Sequence, residues 1–165
     1  TDSASSMSVV LHALEWFRAH ERYEPDAVAL LAPTTPLRSA SQIDDCVELL
    51  KTTGLDTAVT ATPVHNHPYF IYTMENGGRL REILPVERKA QRRQDVPAFY
   101  GHSQAVIVTR RAYFDRADEG TPVMNFASMG GLVIDRESAW DIDTPLDWMI
   151  TEQLLLKRRK SPEAA

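Results

Sequence analysis

Two aspartates near the end of the chain form the leading candidate for chemistry. Asp141 and Asp143 are separated by one residue in the segment 139–148, which reads A-W-D-I-D-T-P-L-D-W. Residues two apart in a β-strand point to the same face, so a strand over 139–143 brings both carboxylates together. One or two carboxylates suit Mg²⁺, which completes its shell with water and phosphate oxygens. The alternative interpretation is a polar strand end that binds no metal.

The residues that follow have the pattern of a helix start. Thr144 is expected to cap a helix whose first residue is Pro145, and Asp147 lies three residues after the cap. A carboxylate at that position pairs with free helix amides, so we interpret Asp147 as a capping residue and not as a ligand. The two metal candidates then lie at the carboxyl end of a strand, where open α/β sheets bind ligands.

Two other groups have side chains suited to binding. His65 and His67 are too few for the three or four ligands of a zinc site, which favours a structural or site-lining role. The segment 33–38 reads P-T-T-P-L-R, and its two prolines indicate a fixed, extended loop. Arg38 ends this loop with a planar guanidinium that suits a phosphate or a carboxylate.

The elements that must position these groups alternate between helix and strand. Helices are predicted over 7–20, 41–53, 110–117 and 145–157. Strands are predicted over 26–32, 57–64, 104–109, 129–135 and 139–143, and a hairpin over 69–84 turns at Asn76-Gly77-Gly78. Ser41 is expected to cap the second helix and Gly54 to end it. The pattern predicts an α/β domain with a mostly parallel sheet and an inserted hairpin.

Composition narrows the class of protein. The 165 residues suit one domain, and a formal net charge of −5 does not favour a nucleic-acid partner. The single cysteine, Cys46, cannot form an internal disulfide and falls in an apolar helical pattern, which predicts a buried thiol. No apolar run is long enough to cross a bilayer and no signal peptide is recognised, so we expect a cytoplasmic protein without membrane contact.

Several segments together resemble one known family. L-L-A-P-T-T-P-L-R (30–38), V-T-A-T-P-V-H-N-H-P (59–68) and W-D-I-D-T-P-L-D-W (140–148) come in this order, with R-R-Q-D-V-P (92–97) before the last. With the opening T-D-S-A-S-S followed by a helix, they resemble the CMP-sialic acid synthetase, or acylneuraminate cytidylyltransferase, family over nearly the whole chain. The resemblance implies a three-layer Rossmann-like nucleotidyltransferase fold and one domain over 1–165, incomplete at its N-terminus.

The family transfers CMP from CTP to the anomeric hydroxyl of an acidic nine-carbon sugar, and pyrophosphate leaves. The resemblance therefore implies an enzyme whose substrates are CTP and an acidic sugar and whose cofactor is Mg²⁺. It implies that Asp141 and Asp143 hold Mg²⁺ against the triphosphate, which agrees with the argument from strand spacing. It also implies that Arg93 meets the sugar carboxylate, a contact that suits a guanidinium fork.

The resemblance also implies roles for the start of the chain, the 33–38 loop and the hairpin. Ser6 would lie by the cytosine pocket. Pro33, Thr34 and Arg38 would line the floor of the site. Residues 69–99 would form an arm through which two subunits pair, so we expect a homodimer.

The sequence departs from the family pattern in three places. No Gly/Arg/Ser/Lys-rich loop that cradles the CTP phosphates is present, Ala32 stands where a Gln is frequent, and Ser103-Gln104 stand where Asn-Gly is frequent. Either the chain is the C-terminal part of a longer enzyme, or it is a non-catalytic dimerising or sugar-binding remnant. A third hypothesis is a metal-dependent phosphatase built on the same carboxylates. Without the family's first strand, we also expect an exposed sheet edge and association through it.

Overall fold

The computed structural model describes residues 4–85, 92 and 95–160. Along this part of the chain the elements are α1 (Ser6–Glu21), β1 (Ala27–Leu30), α2 (Ala40–Thr53), β2 (Thr57–Pro63), β3 (Tyr72–Met74), β4 (Leu80–Glu82), β5 (Tyr100–Arg110), α3 (Arg111–Phe114), β6 (Met129–Val133) and α4 (Pro145–Lys160). Arg93, the residue expected at the sugar carboxylate, lies outside the described residues.

The main sheet is mixed, so the prediction of a mostly parallel sheet is wrong. Its order is β1-β5-β2-β6, and β5 runs antiparallel to both β1 and β2, whereas β2 and β6 are parallel. The amide of Val64 donates to the carbonyl of Phe99 at 3.0 Å, so the chain leaves β2 and returns to β5 at the same place. A connection that returns to the end of the strand it left joins antiparallel strands.

Helices cover both faces of β1. Val28 and Leu30 pack against the core cluster of α1 and α3, which contains Met7 and Phe114. Ala27 and other partly buried residues pack against a second cluster, formed by α2, β2 and β5. Since successive strand residues point to opposite faces, the two clusters lie on opposite sides of the strand, in a helix–sheet–helix arrangement.

Cys46 lies in the second cluster. It is fully buried and has a free thiol, as predicted.

The caps of the helices differ from the predictions in one place. Ser39, and not Ser41, caps α2, because its hydroxyl accepts from the Gln42 amide at 3.3 Å while Gln42 Oε1 accepts from the Ser39 amide at 3.0 Å. This reciprocal pair satisfies two amides that the first turn leaves free. Gly54 ends α2 as predicted, in the left-handed region at φ 67°.

A register shift separates two stretches of pairing between β2 and β5. Val59 pairs with Ile107, and Ala61 pairs with His102. The residues of β5 between His102 and Ile107 therefore lie opposite a single residue of β2, Thr60. The buried Thr60 hydroxyl accepts from the Val106 amide at 3.1 Å, and its oxygen lies 3.2 Å from the Ser103 carbonyl. One threonine therefore satisfies backbone groups that the interrupted ladder leaves without partners.

The predicted hairpin is present as an antiparallel pair, β3 with β4. Gly77 and Gly78 take positive φ angles of 82° and 80° at its turn, which side chains other than glycine adopt rarely. Met74 is 74% exposed, and Leu80 and Ile83 are exposed as well. A two-stranded ribbon alone is marginally stable in water, so these apolar side chains suit a contact with another surface.

Neither edge of the main sheet is covered by another described strand, since β1 pairs with β5 alone and β6 with β2 alone. The expected association through an edge stays a prediction. Within residues 4–85, 92 and 95–160, no helix combines the length and the apolar character that spanning a bilayer requires.

Candidate functional site

The 33–38 loop follows β1, and its own side chains maintain its conformation. Thr35 and Leu37 are fully buried, whereas Pro33 is exposed. Arg38 Nη1 donates to the carbonyls of Ala32 and Thr35, both at 2.7 Å, and lies 2.9 Å from Thr35 Oγ1. The guanidinium expected to bind a phosphate therefore commits one nitrogen to bracing its own loop.

The second part of the site follows β6. Asp135 Oδ1 accepts from the Ser138 amide at 2.8 Å and starts a turn. Burial raises the pKa of Asp135, but the hydrogen bonds from Ser138, the backbone amide of Asp135 and the positive charge of Arg158 together hold the pKa below its ordinary value. The turn leads into the aspartate segment, defined here as residues 140–143.

The aspartate segment is not a strand, so the strand prediction over 139–143 is wrong. Its neighbour is the 33–38 loop, which has two prolines and can offer few backbone amides to a ladder. One backbone bond does form, from the Ile142 amide to the Thr34 carbonyl at 2.9 Å. The structure thereby brings Thr34 beside the pair Asp141 and Asp143, but the argument that strand geometry aligns their carboxylates no longer applies.

The two aspartates differ in their surroundings. Asp143 is exposed, whereas Asp141 is half-buried and its Oδ1 is enclosed without a hydrogen-bond partner in the described part of the chain. A buried carboxylate oxygen without a partner is costly, and a bound cation would satisfy it. The described residues contain no group of three or more His, Cys, Asp or Glu side chains that could hold a metal. A Mg²⁺ site at Asp141 and Asp143 therefore stays a prediction, which depends on the preference of Mg²⁺ for several waters and few protein carboxylates.

Asp147 caps α4, as predicted. Its Oδ2 accepts from the Thr144 amide at 2.8 Å and from the Thr144 hydroxyl at 2.6 Å, and its own amide donates to Thr144 Oγ1 at 3.3 Å. The hydrogen bond from Thr144 holds the pKa of Asp147 below its ordinary value. This reciprocal box fixes the position at which the aspartate segment passes into the helix.

An apolar groove of about 390 Å³ lies between the 33–38 loop and α4. Its lining includes Pro33, Pro36, Ile142, Trp148, Thr151 and Leu155. The walls of this groove come from segments far apart in the chain, so no local sequence pattern predicts it. Trp148, one of the apolar side chains of α4 that line the groove, is 62% exposed.

The remaining candidates have simpler surroundings. Ser6 is the exposed first residue of α1, and Ser5 makes the cap by accepting from the Ser8 amide at 3.1 Å. His67 is buried, with Nε2 2.9 Å from the Pro97 carbonyl, while its Nδ1 accepts from the Tyr69 amide at 3.2 Å. Both ring nitrogens of His67 are therefore occupied, which fits the structural role and not a zinc ligand.

Comparisons with known proteins agree with the resemblance. No family model matches the sequence. Post-translational flagellin modification protein B of Campylobacter coli is 25% identical over 159 residues, which cover 96% of this chain and 65% of that protein. CMP-N,N'-diacetyllegionaminic acid synthase of Legionella pneumophila is 27% identical over 158 residues, or 94% of this chain and 64% of that protein. N-acylneuraminate cytidylyltransferase of Escherichia coli O18:K1:H7 is 23% identical over 162 residues, which cover 97% of this chain and 36% of that protein.

The chain thus spans about two thirds of the length of the first two relatives and about a third of the last. The similarity extends over nearly all of this chain in each case. The chain is a distant homologue of CMP-acylneuraminate and CMP-legionaminic acid synthases and of flagellin modification protein B.

Proposed function

We propose that this protein is a CTP-dependent cytidylyltransferase that transfers CMP to the anomeric hydroxyl of an acidic sugar of the nonulosonate class. The observation that carries the proposal is the bond from the Ile142 amide to the Thr34 carbonyl, because it joins two of the segments on which the resemblance rests. Relatives named CMP-N,N'-diacetyllegionaminic acid synthase and N-acylneuraminate cytidylyltransferase support the same reaction class.

Asp141 and Asp143 are the proposed ligands of Mg²⁺. When bound, Mg²⁺ would supply charge neutralisation at the triphosphate, which is the main requirement of transfer at phosphorus. Asp143 is exposed and so lies open to a nucleotide, whereas Oδ1 of Asp141 is enclosed without a hydrogen-bond partner in the described part of the chain. Pro33 and Thr34 are exposed beside them and would form the floor under the nucleotide.

The sugar and base contacts are proposed from the resemblance. Arg93 would bind the sugar carboxylate and Ser6 would lie by the cytosine. For Arg38 we propose a contribution through the shape of the 33–38 loop, which its Nη1 braces. The leaving group is pyrophosphate, and the nucleophile is the anomeric hydroxyl of the sugar.

The test is calorimetric titration of CTP into the 165-residue chain with and without Mg²⁺. We expect binding that requires Mg²⁺, and we expect Asp143→Asn to weaken it at least about 10-fold, the loss typical of a disturbed metal site. Asp44→Asn is the matched control, because it makes the same charge change at an exposed position of α2, away from the aspartate segment. Equal CTP binding by Asp143→Asn and the unchanged chain would refute the metal assignment.

Activity provides the second measurement. Pyrophosphate release from CTP is expected only when an acidic sugar is present, and a panel of N-acetylneuraminate and legionaminate derivatives would identify that sugar. Binding of a sugar without CTP binding would instead support the non-catalytic alternative. Phosphate release without CTP would support a phosphatase.

The proposed dimer contact is the hairpin arm within residues 69–99. Met74→Asp places a charge among its exposed apolar side chains, so we expect a shift from dimer to monomer in analytical ultracentrifugation. Val9→Asp, at an exposed position of α1, is the control and should leave the dimer intact. A dimer unaffected by Met74→Asp would exclude this arm as the contact.

A further inference from the structure

Arg158 differs from the other basic residues at the end of α4. The last turn contains Lys157, Arg158, Arg159 and Lys160, a run whose charge complements the helix dipole. The side chain of Arg158, however, is only 37% exposed, and it crosses from the helix to two other segments. Its Nε donates to Glu137 Oε1 at 3.1 Å, and its Nη1 donates to the carbonyl of Leu37.

These two bonds connect the parts of the candidate site. Leu37 belongs to the 33–38 loop and is fully buried, so Arg158 satisfies a carbonyl there that solvent reaches poorly. Glu137 lies in the turn that leads into the aspartate segment. The bond from Ile142 to Thr34 joins the same loop to the same segment on the other side of Asp141. Asp141 therefore lies between two connections to the 33–38 loop, one through Arg158 and one through the Ile142 amide.

Oδ1 of Asp141 is enclosed and has no hydrogen-bond partner in the described part of the chain, so the position of this carboxylate depends on its packing and on the backbone on either side of it. A guanidinium donates two bonds in a fixed geometry, whereas an ammonium is a point charge on a flexible stem. Arg158 is thus chemically suited to hold the loop and the turn at one spacing.

We propose that Arg158 is a positioning residue that sets Asp141 in place for metal binding. The proposal rests on the proposed function, since it requires Asp141 and Asp143 to bind a divalent cation. Arg158 itself touches neither the cation nor the substrates. Its effect is on the affinity for the cation, through the backbone that carries Asp141.

The test uses Mn²⁺ titrated into the 165-residue chain in the presence of CTP. Arg158→Gln removes both bonds and is expected to weaken Mn²⁺ affinity about 10-fold, the lower end of the losses seen when groups behind a metal ligand are changed. Arg158→Lys should recover part of that loss, because one bond can re-form. Lys157→Gln makes the same charge change one residue away, at an exposed position, and should alter affinity less than about 2-fold.

A second variant and a second measurement keep the outcome clear. Glu137→Ala removes the acceptor for Arg158 Nε but leaves the bond to Leu37, so it should weaken Mn²⁺ binding in the same direction by a smaller factor, even if Arg158→Gln fails to fold. Hydrogen exchange at the Ile142 amide should quicken in Arg158→Gln and not in Lys157→Gln.

The outcomes separate the two proposals. Mn²⁺ affinity that is equal in Arg158→Gln and Lys157→Gln, with binding by the unchanged chain intact, would overturn the positioning role alone. Absence of Mn²⁺ binding by the unchanged chain would overturn the proposed metal site, and the positioning role with it.

Discussion

Replacing Arg38 by methionine separates a structural role from a role in binding phosphate. Arg38 Nη1 donates to the carbonyls of Ala32 and Thr35, and methionine keeps much of the stem but none of the donors. If the guanidinium mainly braces the 33–38 loop, the variant will be less stable in the absence of any ligand. If it mainly binds phosphate, the free protein will keep its stability and lose only nucleotide affinity.

The size of the effect follows from the contacts. One Nη1 carries two hydrogens, so it can satisfy two of its three nearby oxygens at once. Hydrogen bonds from charged groups contribute about 1.5–3 kcal/mol each, and half-burial of Arg38 reduces that value. We therefore expect a loss of about 2–4 kcal/mol in the free energy of unfolding. For a chain of this length that corresponds to a fall of roughly 4–16 °C in Tm.

The assay is urea unfolding followed by circular dichroism, together with thermal melts, on the ligand-free chain. Arg81→Met is the control, because Arg81 is exposed and its ion pair with Glu75 lies at the surface, where such pairs contribute about 0–1 kcal/mol. A stability loss no larger in Arg38→Met than in Arg81→Met would refute the brace. Loss of CTP affinity in that stable variant would return Arg38 to the binding role expected from its sequence.

Three further predictions concern the core, the thiol and the cap of α4. Thr60→Val should cost about 1–3 kcal/mol in urea unfolding, because it leaves the buried Val106 amide without its acceptor, while Thr60→Ser should cost less; equal costs would contradict this. Cys46 is fully buried and burial raises its pKa to about 11, so DTNB at pH 8 should react with it only on unfolding, and rapid labelling of the folded chain would disagree. The pKa of Asp147 is lowered in the folded state, so its carboxylate stabilises α4 above the ordinary pKa and loses that effect as pH falls through the folded value, below about 4. The Tm difference between the unchanged chain and Asp147→Asn should therefore shrink from pH 5 to pH 3, and a constant difference would count against the box.

Features set by neighbouring residues could be predicted from the sequence. Thr144 and Asp147 lie three residues apart, and their reciprocal bonds need no distant partner. Gly77 and Gly78 allow the positive φ angles of the hairpin turn in any context. Ser39 caps α2 in place of Ser41 because Gln42, three residues after Ser39, reaches back to the Ser39 amide.

Features set by distant residues could not be predicted in the same way. The direction of β5 depends on where the chain returns after the hairpin, which composition does not encode. The strand prediction over 139–143 was wrong because a strand requires a partner, and the adjacent loop offers Ile142 one carbonyl, that of Thr34. The contacts of Arg158 have no local sequence signal, since a basic residue in a last helical turn is already explained by the helix dipole.

The order of the strands has a consequence for synthesis of the protein on the ribosome. Every adjacent pair of strands in the main sheet contains β5 or β6. Ala27 of β1, for example, pairs with Arg110, which is synthesised much later. Non-local pairing of this kind slows folding, because the chain must close long loops before any contact compensates for the lost entropy. The emerging chain therefore carries β1 and β2 outside the main sheet until β5 has left the exit tunnel, and during that interval their unpaired edges are open to chaperones.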